Sequence, residues 1–496
     1  MRGFGIDFGT TNSVVAVCDK STRKVSSLLD ASGRPHPSVV WYRADGHVTV
    51  GRQAKSNLNS YADEAGNVFF TSIKRQLGQG KTYRVFGQPR TAPEIAKEIF
   101  AHLHDQAVEQ YGLDVDAATV TIPIYFDGKS RRELREAADQ AGIFIKTFVH
   151  EPFAAVVGYC CDAEGGRLKD LEGRNILVFD WGGGTLDITV AGIRSGRMAQ
   201  LSRGNLNERA GDSFDHKLQQ LTFSRFLDKS NLGPPDVKIG PSAKDRYFAE
   251  CERAKISLSE IEVERVEVAQ AVNSDHTMHD ITESVTRDDL ESLIQIDVKD
   301  ALTQVDRAIE EARLTNREID LVLLIGGSSL IPVVQREMAD RFGARIVHVP
   351  NADTIIAEGA ALIDSLSMQP VLARAIGVRL SDESFYEVFP AGTVAKPEIC
   401  QKTINFFCVD NRDGEAKIIL VERRDQADVN EPQVLSVPVS RDLPKRYSSH
   451  ERVVVEFQMD QDLVLHITAK GATQVKGGTI AIHDLLFALK TEEGEK

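Results

Sequence analysis

One motif occurs twice in the chain, as FGIDFGTTNSVVAV at residues 4–17 and as NILVFDWGGGTLDITVAG at residues 175–192. Each copy is a short apolar strand ending in an aspartate, then a turn of Gly and Thr, then a return strand of alternating apolar residues. This is the period-two signature of a buried hairpin. A carboxylate is costly to bury unpaired at a strand end, so Asp7 and Asp180 are read as facing a hydrated divalent cation. Gly9, Gly182, Gly183 and Gly184 leave no Cβ between backbone amides and an anion, while Thr10, Thr11 and Thr185 add hydroxyl donors. One copy alone reads equally well as a tight β-turn. Two distant copies imply a duplicated unit that holds its ligand between the halves, a two-jawed nucleotide clamp.

Other phosphate-binding signatures fail on inspection. Gly80-Lys81-Thr82 imitates the end of a P-loop, but Arg75 stands where the first Gly belongs. The glycines at 182–184 lack the third dinucleotide-fingerprint Gly, because Asp187 occupies that position. A formal net charge of -14 argues against a duplex nucleic-acid partner, and no membrane partner is read. Asp7 interrupts any apolar leader, so no cleavable secretory signal is read and a cytoplasmic location is expected. The six Cys include no C-x-x-C pair, and only Cys160 and Cys161 adjoin, as suits reduced core thiols. His102 with His104, and His276 with His279, have spacings a metal could use but no convincing third ligand, so they are read as ordinary surface or hairpin histidines.

With 496 residues the chain has room for two or three domains. The first part alternates hairpins with helices, an α/β layer pattern. Residues 118–142 show the unit: an apolar strand, Pro123 at its end, then a charged amphipathic helix closed at Gly142. Helices are read at HEPFAAVVGY, at 212–233, through CERAKISLS after the loop SNLGPPDVKIGPS, and between LVLLIGGSSLIP and Gly343. From about residue 374 hairpins dominate. Asp413-Gly414 is read as a turn joining two strands, and VVVEFQMDQDLVLHITAKG as a second hairpin. The division expected is a nucleotide-binding domain at 1–366, a short apolar docking linker at 367–373, a small antiparallel β domain at 374–488 and a charged tail at 489–496.

GIDFGTTNS, SIKRQLG, TIPIYF, HEPFAAVVGY, FDWGGGTLDI, ERAKISLS and IGGSSLIP stand in the order and approximate spacing of the heat shock protein 70 chaperone family, which the chain resembles over nearly its whole length. The resemblance implies an actin-like ATPase domain of two ribonuclease-H-like lobes, followed by a β-sandwich that binds polypeptide. It implies ATP and ADP as ligands with Mg2+, and K+ as a further ion. Asp7 and Asp180 would hold the magnesium through water, and Gly9, Thr10, Thr11, Asn12, Gly182, Gly183, Gly184 and Thr185 would cradle the phosphates. Lys74 matches the lysine that approaches the transferred phosphate and the attacking water, Glu151 the carboxylate that orients that water, and Asp187 a support of the second hairpin. Gly211, Asp212, Glu252, Lys255, Ser259, Gly326, Gly327, Ser328 and Asp353 match the rest of the nucleotide pocket.

The chain also departs from the family pattern. Ile256 and Leu330 replace two arginines that sandwich adenine, which removes roughly 1 kcal/mol of cation-π attraction at each and predicts weaker or less adenine-selective binding. The acidic, leucine-rich linker is not recognisable in SMQPVLARAIGV. Thr147 replaces the arginine that docks J-domain co-chaperones, and His150 and Phe153 alter its surroundings, so a J-domain partnership is not expected. Residues 489–496 are too few for a helical lid. Two readings follow: an ATP-hydrolysing chaperone of extended polypeptides, open to a nucleotide-exchange partner, or a nucleotide-timed regulator that docks one dedicated protein. A small-molecule kinase on the same fold is the third class, and the β domain argues against it.

Overall fold

The computed structural model describes residues 2–490 apart from 62–63, 161–167, 208, 234–236, 275–276, 350, 425–426, 429–431 and 442–449. Cys161, His276 and tail residues 491–496 therefore lie outside the described residues. The two motif copies fold as hairpins at the centres of two separate sheets. In the first, Arg2–Phe8 pairs antiparallel with Asn12–Asp19, which pairs with Val25–Leu28; on its other side Arg2–Phe8 runs parallel to Ala117–Ile122, and that strand parallel to Phe144–His150. In the second, Asn175–Trp181 pairs antiparallel with Thr185–Arg194, which pairs with Arg197–Asn207; on its other side it runs parallel to Leu321–Ile325, and that strand parallel to Ile346–His348. Strand order and direction are the same in both, so the duplication extends from motif to lobe.

Two helices pack between the lobes, Glu151–Cys160 and Ile355–Ser365. Their buried faces share one core with Val14 and Ala16 of the first sheet and Ile176, Val178 and Ala191 of the second. Glycine permits their close crossing: a Cβ at Gly359 would stand 1.8 Å from the Ala154 carbonyl oxygen. The helix expected after Pro123 spans Gly128–Gln140, capped by the Asp127 side chain on the Ser130 amide, and the chain leaves it at Gly142 with φ +82°. The helix read at 212–233 is Gly211–Ser230, stopped by Asn231 in the left-handed region. The unassigned stretch before residue 312 folds as the hairpin Val263–Ser274 and Thr277–Thr286, followed by the helix Arg287–Glu311, which opens on a Thr286/Asp289 capping box.

The β domain is a sandwich. One sheet contains Phe385–Phe389, Ala375–Arg379, Glu415–Arg424 and Gln433–Pro438; the other contains Gln401–Cys408, Glu451–Met459, Leu465–Gly471 and Gly478–Ile482. This corrects one expectation. Asp413-Gly414 does not close a hairpin, because the strand before it pairs with Glu451–Met459 and the strand after it pairs with Ala375–Arg379 and Gln433–Pro438. Alternation reports which face of a strand is buried, and both sandwich sheets bury one face, so it cannot tell a hairpin from a crossover between sheets. The hairpin read at 453–471 does form.

The segment joining the domains is also structured. Pro370–Leu372 pairs with Phe487–Lys490, and that strand pairs with Arg197 and Met198, so both segments extend the second lobe's sheet. The boundary expected at residue 488 falls inside this strand. The helix Gly128–Gln140 of the first lobe packs against the β domain. Buried Arg131 donates to the carbonyls of Asp462 at 2.7 Å and His483 at 3.1 Å, and buried Arg135 donates to the Asp462 carboxylate at 2.8 Å. No helix among the described residues is long and apolar enough to cross a membrane.

Candidate active site

The two hairpin turns face each other across a cleft between the lobes. At the first, a Cβ on Gly9 would stand 1.9 Å from the Asn12 carbonyl, so only glycine makes the turn. At the second, the Gly182 amide donates to the Thr185 carbonyl at 3.0 Å, and the helix Gly211–Ser230 begins against it, with the Asp212 amide on the Gly183 carbonyl at 2.8 Å. The turns nearly touch: side chains at Gly183 and Gly184 would meet the Thr11 hydroxyl at 3.3 and 3.4 Å. Ser328 donates from its hydroxyl to the Gly182 carbonyl at 2.9 Å, tying the loop after Leu321–Ile325 to the second turn. Gly326 adopts φ +77°, and a Cβ there would come 2.7 Å from Asp180 Oδ1.

Below the turns lies a buried charge cluster. Lys74, 4% exposed, donates from Nζ to Glu151 Oε1 at 2.5 Å. Thr121 donates to Asp7 Oδ1 at 2.7 Å, and Thr185 to Asp187 Oδ2 at 3.0 Å. Burial and then the Glu151 carboxylate raise Asp7 from 3.8 to about 6, and the same two causes raise Asp187 to about 6. Asp180 is pushed well above its usual value by burial, then by Asp187, Glu151 and Asp7. Burial works against the Lys74 ammonium, but Glu151 and Asp7 outweigh it and hold the group above its ordinary value. The excess of carboxylates is the demand a cation would meet. Among the described residues no three His, Cys, Asp or Glu side chains converge as a metal-chelating group. The glycine cradles and the carboxylate chemistry thus fit a magnesium–phosphate ligand.

The remaining lining of the cleft mixes polar and apolar side chains. Ile256 and Leu330 line it, and both are large apolar side chains left 49% and 42% exposed. Lys255 is fixed by the Gly211 carbonyl at 3.0 Å and Asp215 at 2.8 Å, and Glu252 pairs across the cleft with Lys55 at 3.0 Å. Every residue assigned in the sequence to the nucleotide site lines this one cleft: Asp7, Gly9, Thr10, Thr11, Asn12, Lys74, Glu151, Asp180, Gly182, Gly183, Gly184, Thr185, Asp187, Gly211, Asp212, Glu252, Lys255, Ile256, Ser259, Gly326, Gly327, Ser328, Leu330 and Asp353. Pro123, Tyr125, Glu260, Ile331, Ala352 and Ile356 line it as well and were missed. The signal for the first two was present, since both lie in TIPIYF. Arg75, read only as the residue that spoils a P-loop, donates to the Gly184 carbonyl at 3.0 Å and so bridges the two jaws.

The family described as "Hsp70 protein" matches residues 3–86 and 79–495. "Chaperone protein DnaK" of Metamycoplasma hominis is 29% identical over 509 residues, covering 99% of this chain and 81% of that relative. "Chaperone protein DnaK" of Mycoplasma mobile is 31% identical over 363 residues, covering 72% of this chain and 57% of that relative, somewhat over half its length. With a match that runs from the first hairpin to the last strand, laid over two lobes of one topology and a β-sandwich, the chain belongs to the Hsp70 family.

Proposed function

We propose that this Hsp70-family protein binds Mg-ATP between its two hairpins, hydrolyses it slowly to ADP and phosphate, and couples nucleotide state to the binding of extended polypeptide by its β domain. The observation that carries the reading is the buried Lys74–Glu151 pair, set among Asp7, Asp180 and Asp187 beneath two glycine turns. Polypeptide binding is drawn from the chaperone relatives and from the sandwich, whose strand Gln401–Cys408 forms a sheet edge.

The roles follow from position and charge. The amides of the two turns hold the phosphates, with Thr10, Thr11 and Thr185 as hydroxyl donors. Magnesium, when bound, supplies positive charge to the phosphate oxygens. Glu151 accepts a hydrogen bond from the attacking water and orients it, while its contact fixes Lys74, whose ammonium offsets the charge that builds on the transferred phosphoryl group. Asp187 and Thr185 brace the second turn. Glu252, Lys255 and Ser259 bind the nucleoside, with Ile256 and Leu330 flanking the base. K+ as a further ion, a nucleotide-exchange partner, the absence of J-domain docking at Thr147 and a cytoplasmic location belong to the same proposal. Single-turnover hydrolysis tests it: Lys74→Ala should slow the chemical step at least about 100-fold with nucleotide still bound. Equal rates in wild type and variant would refute the assignment.

A further inference from the structure

A second cavity, of about 590 Å³, lies where the second lobe, the connecting segment and the β domain meet. Arg194 and Arg197 reach it from the turn between two strands of the lobe, Arg374 from the connecting segment and Arg423 from the β domain, against one lining carboxylate, Glu387. In a chain of net charge -14 this is a concentration of positive charge with a built geometry. Arg194 is held by neutral acceptors, the carbonyls of Arg174 at 2.9 Å and Ile193 at 2.8 Å and the Asn175 side chain at 2.7 Å. Arg374 stands 3.6 Å from Glu422, and the Arg423 guanidinium lies over the Phe385 ring at 4.5 Å. Arg197 crosses between the domains: a Cβ on Gly392 of the β domain would stand 3.1 Å from its Nη1. Gln200, also lining the cavity, has a buried side-chain oxygen with no hydrogen-bond partner.

We infer that this cavity binds a small, multiply charged phosphate anion that holds the β domain docked on the second lobe. Guanidinium forks fixed by neighbours match phosphate oxygens in pairs and have little freedom left to lose on binding. A protonated phosphate oxygen also brings an O–H for the orphaned Gln200 acceptor, which a carboxylate or sulfate ligand lacks. The lining comes from three segments that converge only in the docked arrangement, so the anion stabilises that arrangement by mass action, and docking in turn tightens the anion.

The test is calorimetric titration of the full chain with inorganic pyrophosphate, Mg-ADP being present in excess to fill the cleft between the lobes. Saturable binding is expected, weakened at least about tenfold by Arg197→Ala and by Arg423→Ala, the loss typical of a charge-assisted hydrogen bond. Arg197→Lys, which keeps the charge but loses the fork, should weaken it by less than Arg197→Ala does, and raising Mg-ADP further should leave the affinity unchanged. No saturable binding, or affinity indifferent to Arg197→Ala and Arg423→Ala, would overturn the inference. Pyrophosphate binding that Mg-ADP displaces would place the anion in the nucleotide cleft and overturn it too.

Discussion

Lys74 faces four carboxylates, those of Glu151, Asp7, Asp180 and Asp187, and the balance among them sets the chemistry of the cleft. A carboxyl whose pKa is higher in the folded chain than in the unfolded one stabilises the fold in its protonated form. For Asp7 and Asp187 that contribution is complete below about pH 4 and is lost as the pH rises through about 6. At neutral pH the cleft without ligand therefore carries unfavourable charge that a cation relieves. Affinity for Mg-ADP should fall as the pH drops through about 6, and Asp7→Asn should weaken binding while flattening that profile; a wild-type profile without a step there would contradict the electrostatic account. At the base end the expected change is opposite in sign. Leu330→Arg and Ile256→Arg should each tighten ATP roughly fivefold, about 1 kcal/mol of cation-π attraction, and raise preference over GTP. Competition binding with the two nucleotides measures it.

At the scale of elements, the central helices Glu151–Cys160 and Ile355–Ser365 cross in direct contact between the lobes, because nothing larger than hydrogen separates them at Gly359. Gly359→Ala forces backbone apart in a close-packed core and should cost about 3 kcal/mol or more, seen as a lowered thermal midpoint. Gly142→Ala, where a Cβ meets nothing within 4 Å, costs only the strain of its positive φ. The paired hairpins with their glycine turns and the helix after Pro123 were legible in the sequence because strand alternation and glycine turns are local signals, whereas Lys74, Glu151 and the residues from Glu252 to Asp353 were legible only through the resemblance of whole motifs to the family. The Asp413-Gly414 connection was not, since which strand pairs with which is decided by distant residues. Nor was the strand Phe487–Lys490, four residues whose partners lie in the other domain. Arg75 escaped for a different reason: its partner, the Gly184 carbonyl, is a backbone atom that no motif encodes.

At the scale of the whole molecule, the β domain is tied to both lobes, to the first through Arg131 and Arg135 and to the second through the strand Phe487–Lys490. Asp462 is buried and accepts from buried Arg135, so Asp462→Ala leaves a guanidinium without its charge partner, a loss of about 3–5 kcal/mol at that contact. The expected result is partial undocking, read as a larger radius of gyration in small-angle scattering; an unchanged radius would show that the two added strands suffice. Docking on both lobes is also what the proposed coupling would use, because any change in the angle between the lobes would move the surfaces on which the β domain rests. The central claim is that nucleotide state sets polypeptide affinity, and fluorescence anisotropy of a labelled, unfolded apolar peptide tests it most directly with saturating Mg-ATP, under conditions where hydrolysis is slow, against Mg-ADP. The account predicts affinities at least about tenfold apart, a coupling of about 1.4 kcal/mol. Equal affinities in the two states, with both nucleotides bound, would contradict it.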